Sequence, residues 1–213
     1  MVAAAKGTRA RVSGRCSAAA SLLGVLLGCL CTSRGTAEGA QQEAPAFDPL
    51  VVMDTVLPRF VQCYAHARYL IVERELEGAL GADVYVRPRA SGRCDADSLP
   101  GDLVVRNAWA EYFAGIRDDV LFLDSGTGPD LRGLILVDIR TGRRILERSY
   151  VEVEAGPAEH TVNVWDGYYL DAPMEGCDPP TGGLQAGVDS LFTMDLPAGT
   201  VAFAGRTRCA VRQ

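Results

Sequence analysis

The first 37 residues constrain this chain most, because they decide the compartment in which it must fold. They carry five basic residues and no acidic one, and their apolar run from Ala18 to Leu30 is interrupted only by Ser21 and two glycines. A basic start, a short apolar segment and small residues after it are typical of an export signal. The run is shorter than the roughly 20 apolar residues of a membrane-spanning helix. Residues 1–37 are therefore predicted to be an export signal.

Two different sites could end this signal. Leu26-Leu27-Gly28-Cys29 resembles the lipobox of bacterial lipoproteins, which implies acylation of Cys29 and a tether after it. Small residues at Gly35 and Ala37 equally fit an ordinary signal-peptidase site before Glu38. Both alternatives stay open. Residues 38–47 are polar and are predicted to be a disordered leader, and residues 48–213 are long enough for one domain with a real core.

The four cysteines of this domain gain a structural role in an oxidising compartment. An even number of cysteines in an exported chain predicts disulfides. Four cysteines allow three pairings, and we favour the pairing of neighbouring segments, Cys63 with Cys94 and Cys177 with Cys209. Metal ligation is the alternative, but no two of these cysteines have C-x-x-C spacing and the chain has only 2 histidines, so we expect no metal and no cofactor.

Short apolar runs separated by turn residues predict a mainly β domain. Successive runs joined by tight turns indicate antiparallel hairpins in a meander, forming a small sandwich or a barrel-like sheet. The predicted strands cover residues 69–72, 83–87, 103–105, 120–123, 134–137, 145–153, 161–165, 191–194, 201–203 and 206–212.

Helical spacing appears at two places and predicts one or two short helices. Asn107 could cap a helix over residues 107–115 that Gly115 ends, with one face formed by Trp109, Tyr112, Phe113 and Ile116. We expect this aromatic face to pack in the core. Pro58 could open a second helix that carries Leu57, Phe60, Val61 and Tyr64.

Residues 134–146 and 191–203 repeat one pattern, in which four strand residues precede an Asp and a Gly follows four positions after it. The pattern resembles the hairpin of β-propeller blades. We expect Asp138 and Asp195 to accept hydrogen bonds from turn amides, and Gly142 and Gly199 to take the bend. The domain is too short for the four or more blades of about 40 residues that a propeller needs, so ordinary hairpins are predicted.

The charge of the domain limits its partners. After Ala37 the chain has 27 acidic and 16 basic residues, a formal charge of −11. This field repels phosphate backbones and anionic lipids, so we expect no nucleic acid and no membrane contact except through a lipid on Cys29. Asp95, Asp97 and Asp102 lack the other positions of a Ca²⁺ loop and predict a solvated acidic loop.

The sharpest motif is the segment 120–128, VLFLDSGTG. Apolar strand residues followed by Asp-Ser-Gly-Thr resemble the active-site loop of aspartic proteases. The resemblance implies that Asp124 shares a proton with a second Asp, that Ser125 and Gly126 shape the turn, and that Thr127 braces it. A dimer would have to supply the second carboxylate. Alternatively, Asp124 only caps a loop in which Ser125 and Thr127 bond local backbone.

Two loops could bind a ligand without catalysis. In the first, the backbone of residues 126–128 is open to a ligand and Arg132 is a nearby anion partner. In the second, residues 165–183, Trp165, Tyr168 and Tyr169 could stack on a sugar, with carboxylates beside them at Asp166, Asp171 and Glu175. Core packing is the alternative for these rings.

The expected function is that of an exported cell-envelope protein that binds an envelope protein or a small ligand through residues 124–132 and 165–183. A dimeric aspartic-type peptidase built on Asp124-Ser125-Gly126-Thr127 is the alternative. Nucleophilic catalysis is not favoured, because no serine lies in a G-x-S-x-G elbow and a lone histidine such as His66 or His160 is more often structural or solvated.

Overall fold

Thirteen strands and no helix make up the part of the chain that the structure describes. The structure is a computed structural model that describes residues 45–53, 57–90, 92–128, 131–170, 175–177 and 184–212. The strands form three antiparallel sheets, in each of which neighbours in sequence are neighbours in space. The predicted mainly β class and its meanders are confirmed, but the chain forms three sheets where a small sandwich or a barrel-like sheet was expected.

The three sheets follow one another along the chain. The first sheet contains β1 (Val51–Val52), β2 (Val61–Ala65), β3 (Tyr69–Glu75), β4 (Ala82–Pro88) and β5 (Leu103–Val105). The middle sheet contains β6 (Glu111–Arg117), β7 (Val120–Ser125), β8 (Arg132–Asp138) and β9 (Arg144–Tyr150). The last sheet contains β10 (Glu152–Ala155), β11 (Thr161–Tyr169), β12 (Gln185–Asp195) and β13 (Thr200–Arg212).

The middle sheet is buried on both faces. Leu121 and Leu123 of β7 pack with Ile71 of the first sheet, whereas Phe122 of the same strand packs with Val162 of the last sheet. Alternate residues of a strand point to opposite faces, so a strand between two sheets must be apolar at every position. This explains the continuous apolar runs VLFL and LILV in β7 and β8.

The two repeated segments form equivalent hairpins. Each joins the third and fourth strands of its sheet, β8 to β9 and β12 to β13. The side chain of Asp138 accepts hydrogen bonds from the N–H groups of Arg140 and Thr141 at 2.8 and 3.0 Å, and Asp195 accepts one from Ala198 at 3.0 Å. The glycines that close the turns, at positions 142 and 199, have φ of 69° and 63°, the left-handed region that glycine enters without strain. These expectations are confirmed.

The helix predicted over residues 107–115 is wrong, because residues 111–117 form β6. Ala110 has a φ of 48°, which no right-handed helix allows. The pairing of β6 with β7 skips Ala114, so the strand carries a β-bulge there. The extra residue puts Phe113 and Ile116 on the same face, against the first sheet. A bulged strand therefore reproduced the three-residue spacing of a helix.

The second predicted helix is also wrong. Pro58 accepts the N–H of Val61 at 3.2 Å in a tight turn, and Phe60 has a φ of 70°. The chain then continues as β2, in which Cys63 and Ala65 are buried. The alternation of buried and less buried positions in this strand was hidden by apolar residues on both of its faces.

Both predicted disulfides are present, with the favoured pairing. Cys63–Cys94 joins β2 to the segment between β4 and β5, and Cys177–Cys209 joins the segment 175–177 to β13, with Cα–Cα distances of 5.9 and 5.6 Å. Two formed disulfides indicate an oxidising, extracellular-type environment.

Residues 45–47, which the sequence assigned to the leader, lie against the middle sheet. The ring of Phe47 packs edge-on against Phe122 with centroids 5.1 Å apart. A Cβ at Gly115 would lie 2.6 Å from Cγ of Phe47, so this contact requires a glycine. Arg117 donates hydrogen bonds to the carbonyls of Pro45 and Ala46. The predicted signal and Cys29 lie outside the described residues.

Glu73 lies between the first and middle sheets and makes the stability depend on pH. Its carboxylate accepts hydrogen bonds from the N–H of Phe113 at 2.9 Å and the hydroxyl of Tyr64 at 3.2 Å. Burial raises the pKa of Glu73 above its ordinary value, although these two hydrogen bonds oppose the shift. A carboxyl with a raised pKa in the folded state stabilises that state when protonated, and this contribution is lost as pH rises through the folded pKa.

We expect Glu73→Gln to raise the free energy of unfolding at pH 7, because glutamine keeps the hydrogen-bond acceptor without the charge. The gain should shrink as pH falls toward the ordinary carboxyl value of 4.5. Urea unfolding at pH 7 and pH 4 measures both effects, with the exposed Glu77→Gln as control. A gain of equal size at both pH values would contradict this assignment.

Candidate functional site

The described residues of the two loops predicted to bind a ligand lie at the same end of the middle and last sheets. Gly167 packs against Leu131, since a Cβ at position 167 would lie 2.7 Å from Cδ2 of that leucine. Strand pairing puts the end of β7, the start of β8 and the ends of β9, β11 and β13 together there. We call this surface the loop end, formed by residues 109–110, 124–128, 131–132, 150, 168–170, 184 and 211.

Asp124 is held in an ion pair at the loop end. Nε of Arg132, on the neighbouring strand, lies 2.5 Å from its Oδ1. Tyr150 is paired with Arg132 across β8 and β9, and burial, together with the charge of Asp124, raises the pKa of this tyrosine above its ordinary value. A proton-sharing dyad needs a second carboxylate beside the first, whereas the charged group beside Asp124 is a guanidinium. The geometry does not favour the peptidase hypothesis.

The residues after Asp124 anchor the loop to the segment that precedes β6. Ser125 donates its hydroxyl to the carbonyl of Trp109 at 3.2 Å, and the N–H of Gly126 donates to the carbonyl of Ala110 at 3.0 Å. Thr127 is exposed, and it makes no bracing hydrogen bond to another described residue. Ser125 therefore bonds backbone that is distant in sequence rather than the local backbone that the alternative expected, and the loop ties the end of β7 to the segment that precedes β6.

Trp165 is not available to stack on a ligand. It is only 3% exposed, and its Nε1 donates to the carboxylate of Glu154 at 2.7 Å. The guanidinium carbon of Arg208 lies 4.2 Å from the centre of its ring. Trp165 is therefore a packed residue of the last sheet, as the core-packing alternative expected.

The two tyrosines that follow on β11 do reach the surface. Tyr168 is 49% exposed and Tyr169 is 38% exposed, and the guanidinium of Arg212 lies 5.9 Å from the centre of the Tyr169 ring. Asp166 does not accompany them as a carboxylate available for chemistry, because it pairs with Arg148 and Ser149. Asp171 lies outside the described residues.

Trp109 is a surface residue that the sequence analysis placed in the core. It is 62% exposed and lies beside the 124–128 loop through the contact of its carbonyl with Ser125. Leu184 and Val211 are also exposed at this end. The helical spacing predicted a buried position for Trp109. Only its place two residues after Asn107, whose side chain accepts the N–H of Glu111, indicates a turn.

Neither a metal centre nor a membrane-spanning helix is found in the described parts of the chain. Their His, Cys, Asp and Glu side chains form no group of three or more that could hold a metal ion. Among these residues there is also no helix long and apolar enough to cross a membrane. Comparisons with protein-family models, with curated proteins and with solved structures found no match to this chain.

Proposed function

We propose that this chain is an exported cell-envelope protein that acts as a binding domain without catalysis, and that its partner docks on the loop end. The observation that supports this proposal is the exposure of Trp109 and Tyr168 on the same end of two packed sheets. Tryptophan and tyrosine are enriched among the residues that carry binding energy at protein interfaces. Tyr168 also lies on β11, where pairing with β12 fixes its backbone before binding and so reduces the entropy cost of association.

Export is supported by two independent features. The leader has the charge and apolar pattern of an export signal, and the domain contains two disulfides, which persist in oxidising compartments. The charge of −11 after Ala37 makes a protein or a small ligand the expected partner rather than nucleic acid. Contact with the membrane is proposed only through a lipid on Cys29.

The absence of catalysis is proposed from the environment of Asp124. Its carboxylate already pairs with Arg132, and Tyr150 lies beside that pair. An ion pair of this kind fixes the start of β8 against the end of β7. We infer that this ion pair holds the loop end rigid.

Photo-crosslinking tests the proposed surface. The full chain, produced with its leader in its own host, carries a photoreactive amino acid in place of Tyr168, of Trp109 or of Thr141. Thr141 is exposed in the β8–β9 turn at the opposite end of the middle sheet and serves as the matched control. We expect one discrete adduct from positions 168 and 109 and none from position 141. The mass of the uncrosslinked chain also reports whether the leader has been removed.

Equal adducts from all three positions, or none from positions 168 and 109, would contradict docking at the loop end. A chain that keeps residues 1–37 and is recovered from the cytosol would contradict export. The two parts of the proposal are therefore tested separately in the same preparation.

A further inference from the structure

A cleft lies at the end of the sheets opposite the loop end. Its volume is about 230 Å³, and turns from all three sheets line it. The β2–β3 turn contributes Arg68, the β6–β7 turn contributes Asp118 and Asp119, and the β8–β9 turn contributes Asp138 and Arg140. The last sheet contributes His160, Leu196 and Pro197. We call this cleft the turn-end cleft.

Asp119 is committed to the structure of the cleft. Its Oδ1 accepts a hydrogen bond from the hydroxyl of Tyr69 at 2.5 Å and forms an ion pair with Nη1 of Arg68 at 2.7 Å. Burial acts to raise the pKa of Asp119, but Tyr69 and Arg68 outweigh it and hold this pKa below its ordinary value. Asp119 is thus a fixed negative charge that positions the Arg68 side chain.

The other two carboxylates keep acceptor capacity. Asp118 accepts from Nδ1 of His160 at Oδ2 only, at 3.0 Å. Asp138 accepts the two turn N–H groups at Oδ1 only. An ionised carboxylate offers about four acceptor positions on its two oxygens. Among the described residues, no donor engages Oδ1 of Asp118 or Oδ2 of Asp138.

The cleft also contains hydrogen-bond donors that have no partner among the described residues. Arg140 is 68% exposed and makes one ion pair within the described residues, in which its Nε lies 3.7 Å from Oδ2 of Asp119. Its two terminal nitrogens have no partner there, although a guanidinium has five N–H donors that match a carboxylate as a planar fork. His160 also faces the cleft, and its ring offers a further donor at Nε2 when it is protonated.

The remaining wall is apolar. Val120 and Leu196 are buried, and Pro197 lies next to them in the β12–β13 turn. The cleft therefore combines an apolar wall with spare donors and spare acceptors. Its charges nearly balance, with two guanidinium groups and His160 against three carboxylates. A doubly charged anion such as phosphate would meet these carboxylates unfavourably, whereas a molecule with both signs of charge finds a partner for each.

We propose that the turn-end cleft binds a small zwitterion of the α-amino acid class with an apolar side chain. Arg140 takes the ligand carboxylate, Asp118 and Asp138 take its ammonium group, and Val120, Leu196 and Pro197 contact its side chain. The volume of about 230 Å³ is below the roughly 300–1,000 Å³ of sites for drug-sized ligands, which favours a single amino acid over a peptide.

Isothermal titration of the dialysed protein with L-leucine tests this proposal. Leucinamide lacks the carboxylate, 4-methylpentanoate lacks the ammonium group, and inorganic phosphate tests for a simple anion site. We expect leucine to bind, each of the two analogues to bind about tenfold more weakly or worse, and phosphate not to bind. Absence of leucine binding, or equal binding of 4-methylpentanoate or phosphate, would overturn the proposal.

Two variants assign the subsites. Arg140→Gln should weaken leucine binding about tenfold or more, whereas Arg143→Gln, in the same exposed turn but outside the cleft, should not change it. Asp118→Asn should weaken leucine binding without weakening that of 4-methylpentanoate. Asparagine suits this site because position 118 has a φ of 55°, which asparagine tolerates. Unchanged leucine affinity in Arg140→Gln would overturn the assignment.

Discussion

Replacing Asp102 with alanine is expected to lower the free energy of unfolding by about 3–5 kcal/mol, which is the usual cost of breaking a buried ion pair. The side chains of Asp102 and Arg87 are each only 2% exposed, and Nη2 of the arginine lies 2.8 Å from Oδ2 of the aspartate. Removing the carboxylate leaves a guanidinium away from water without a counterion. The energetic penalty therefore applies to the folded state, because the unfolded chain exposes the guanidinium to water.

This pair also organises the segment between β4 and β5. Arg87 donates to the carbonyls of Arg93 and Asp97 at 2.6 and 3.2 Å, and Asp102 accepts the N–H of Leu99 at 2.7 Å. The prediction of a solvated acidic loop is wrong for Asp102, but it holds for Asp97, whose side chain is 84% exposed.

Urea unfolding of Asp102→Ala and Asp97→Ala separates the two kinds of aspartate. Asp97 pairs with Arg74 at 3.2 Å at the surface, and such a pair is worth about 0–1 kcal/mol. The double variant Arg87→Met with Asp102→Leu should recover most of the stability lost in Asp102→Ala, because no unpaired charge remains. A loss in Asp102→Ala no greater than that in Asp97→Ala would show that the pair does not stabilise the fold.

Removing the Cys63–Cys94 disulfide by changing both cysteines to alanine is expected to cost about 3–4 kcal/mol in the chain-entropy model. The bond closes a loop over a sequence separation of 31 residues, so without it the unfolded chain gains conformational freedom. Cys63 is also buried and packs with Val72 and Tyr85 on the first sheet. Lost packing of the two sulfur atoms adds to the entropic cost.

Thermal unfolding with and without reductant measures this contribution. The wild-type chain should lose stability when reduced, and the double variant should lose less, because only its Cys177–Cys209 bond remains to be broken. The companion variant with both Cys177 and Cys209 changed to alanine, a separation of 32 residues, gives the matched comparison. If reduction left the wild-type unfolding temperature unchanged, the disulfides would have no stabilising role.

Local features of this fold were predictable from the sequence. The β8–β9 and β12–β13 turns form through an Asp side chain and a glycine four residues later, and all of these contacts lie within one turn. Most of the strands, apart from β2 and β6, were predictable for the same reason, since alternation and turn residues act over a few positions. The disulfide pairing followed from the preference for neighbouring segments.

The predictions that failed depended on contacts between distant residues. The bulge at Ala114 gave β6 a helical spacing. The burial of two tryptophans was also the reverse of what was expected. Trp165, which was considered for ligand stacking, is covered by Arg208, whereas Trp109, which was assigned to the core, is exposed. A local sequence pattern does not show which sheet packs over a given aromatic side chain.

The sequence by itself determined most of the strands, their hairpins, the paired cysteines and the acidic charge of the domain, because each depends on residue type and short spacing. Only the tertiary structure decided that β7 lies between two other sheets, that Asp102 is buried against Arg87, and that the two ends of the sheets differ. The turn-end cleft joins Arg68, Asp118, Arg140 and His160 from turns far apart in the chain. Such groupings arise from the order in which the sheets stack, and stacking is set by the summed burial of many side chains rather than by any one segment.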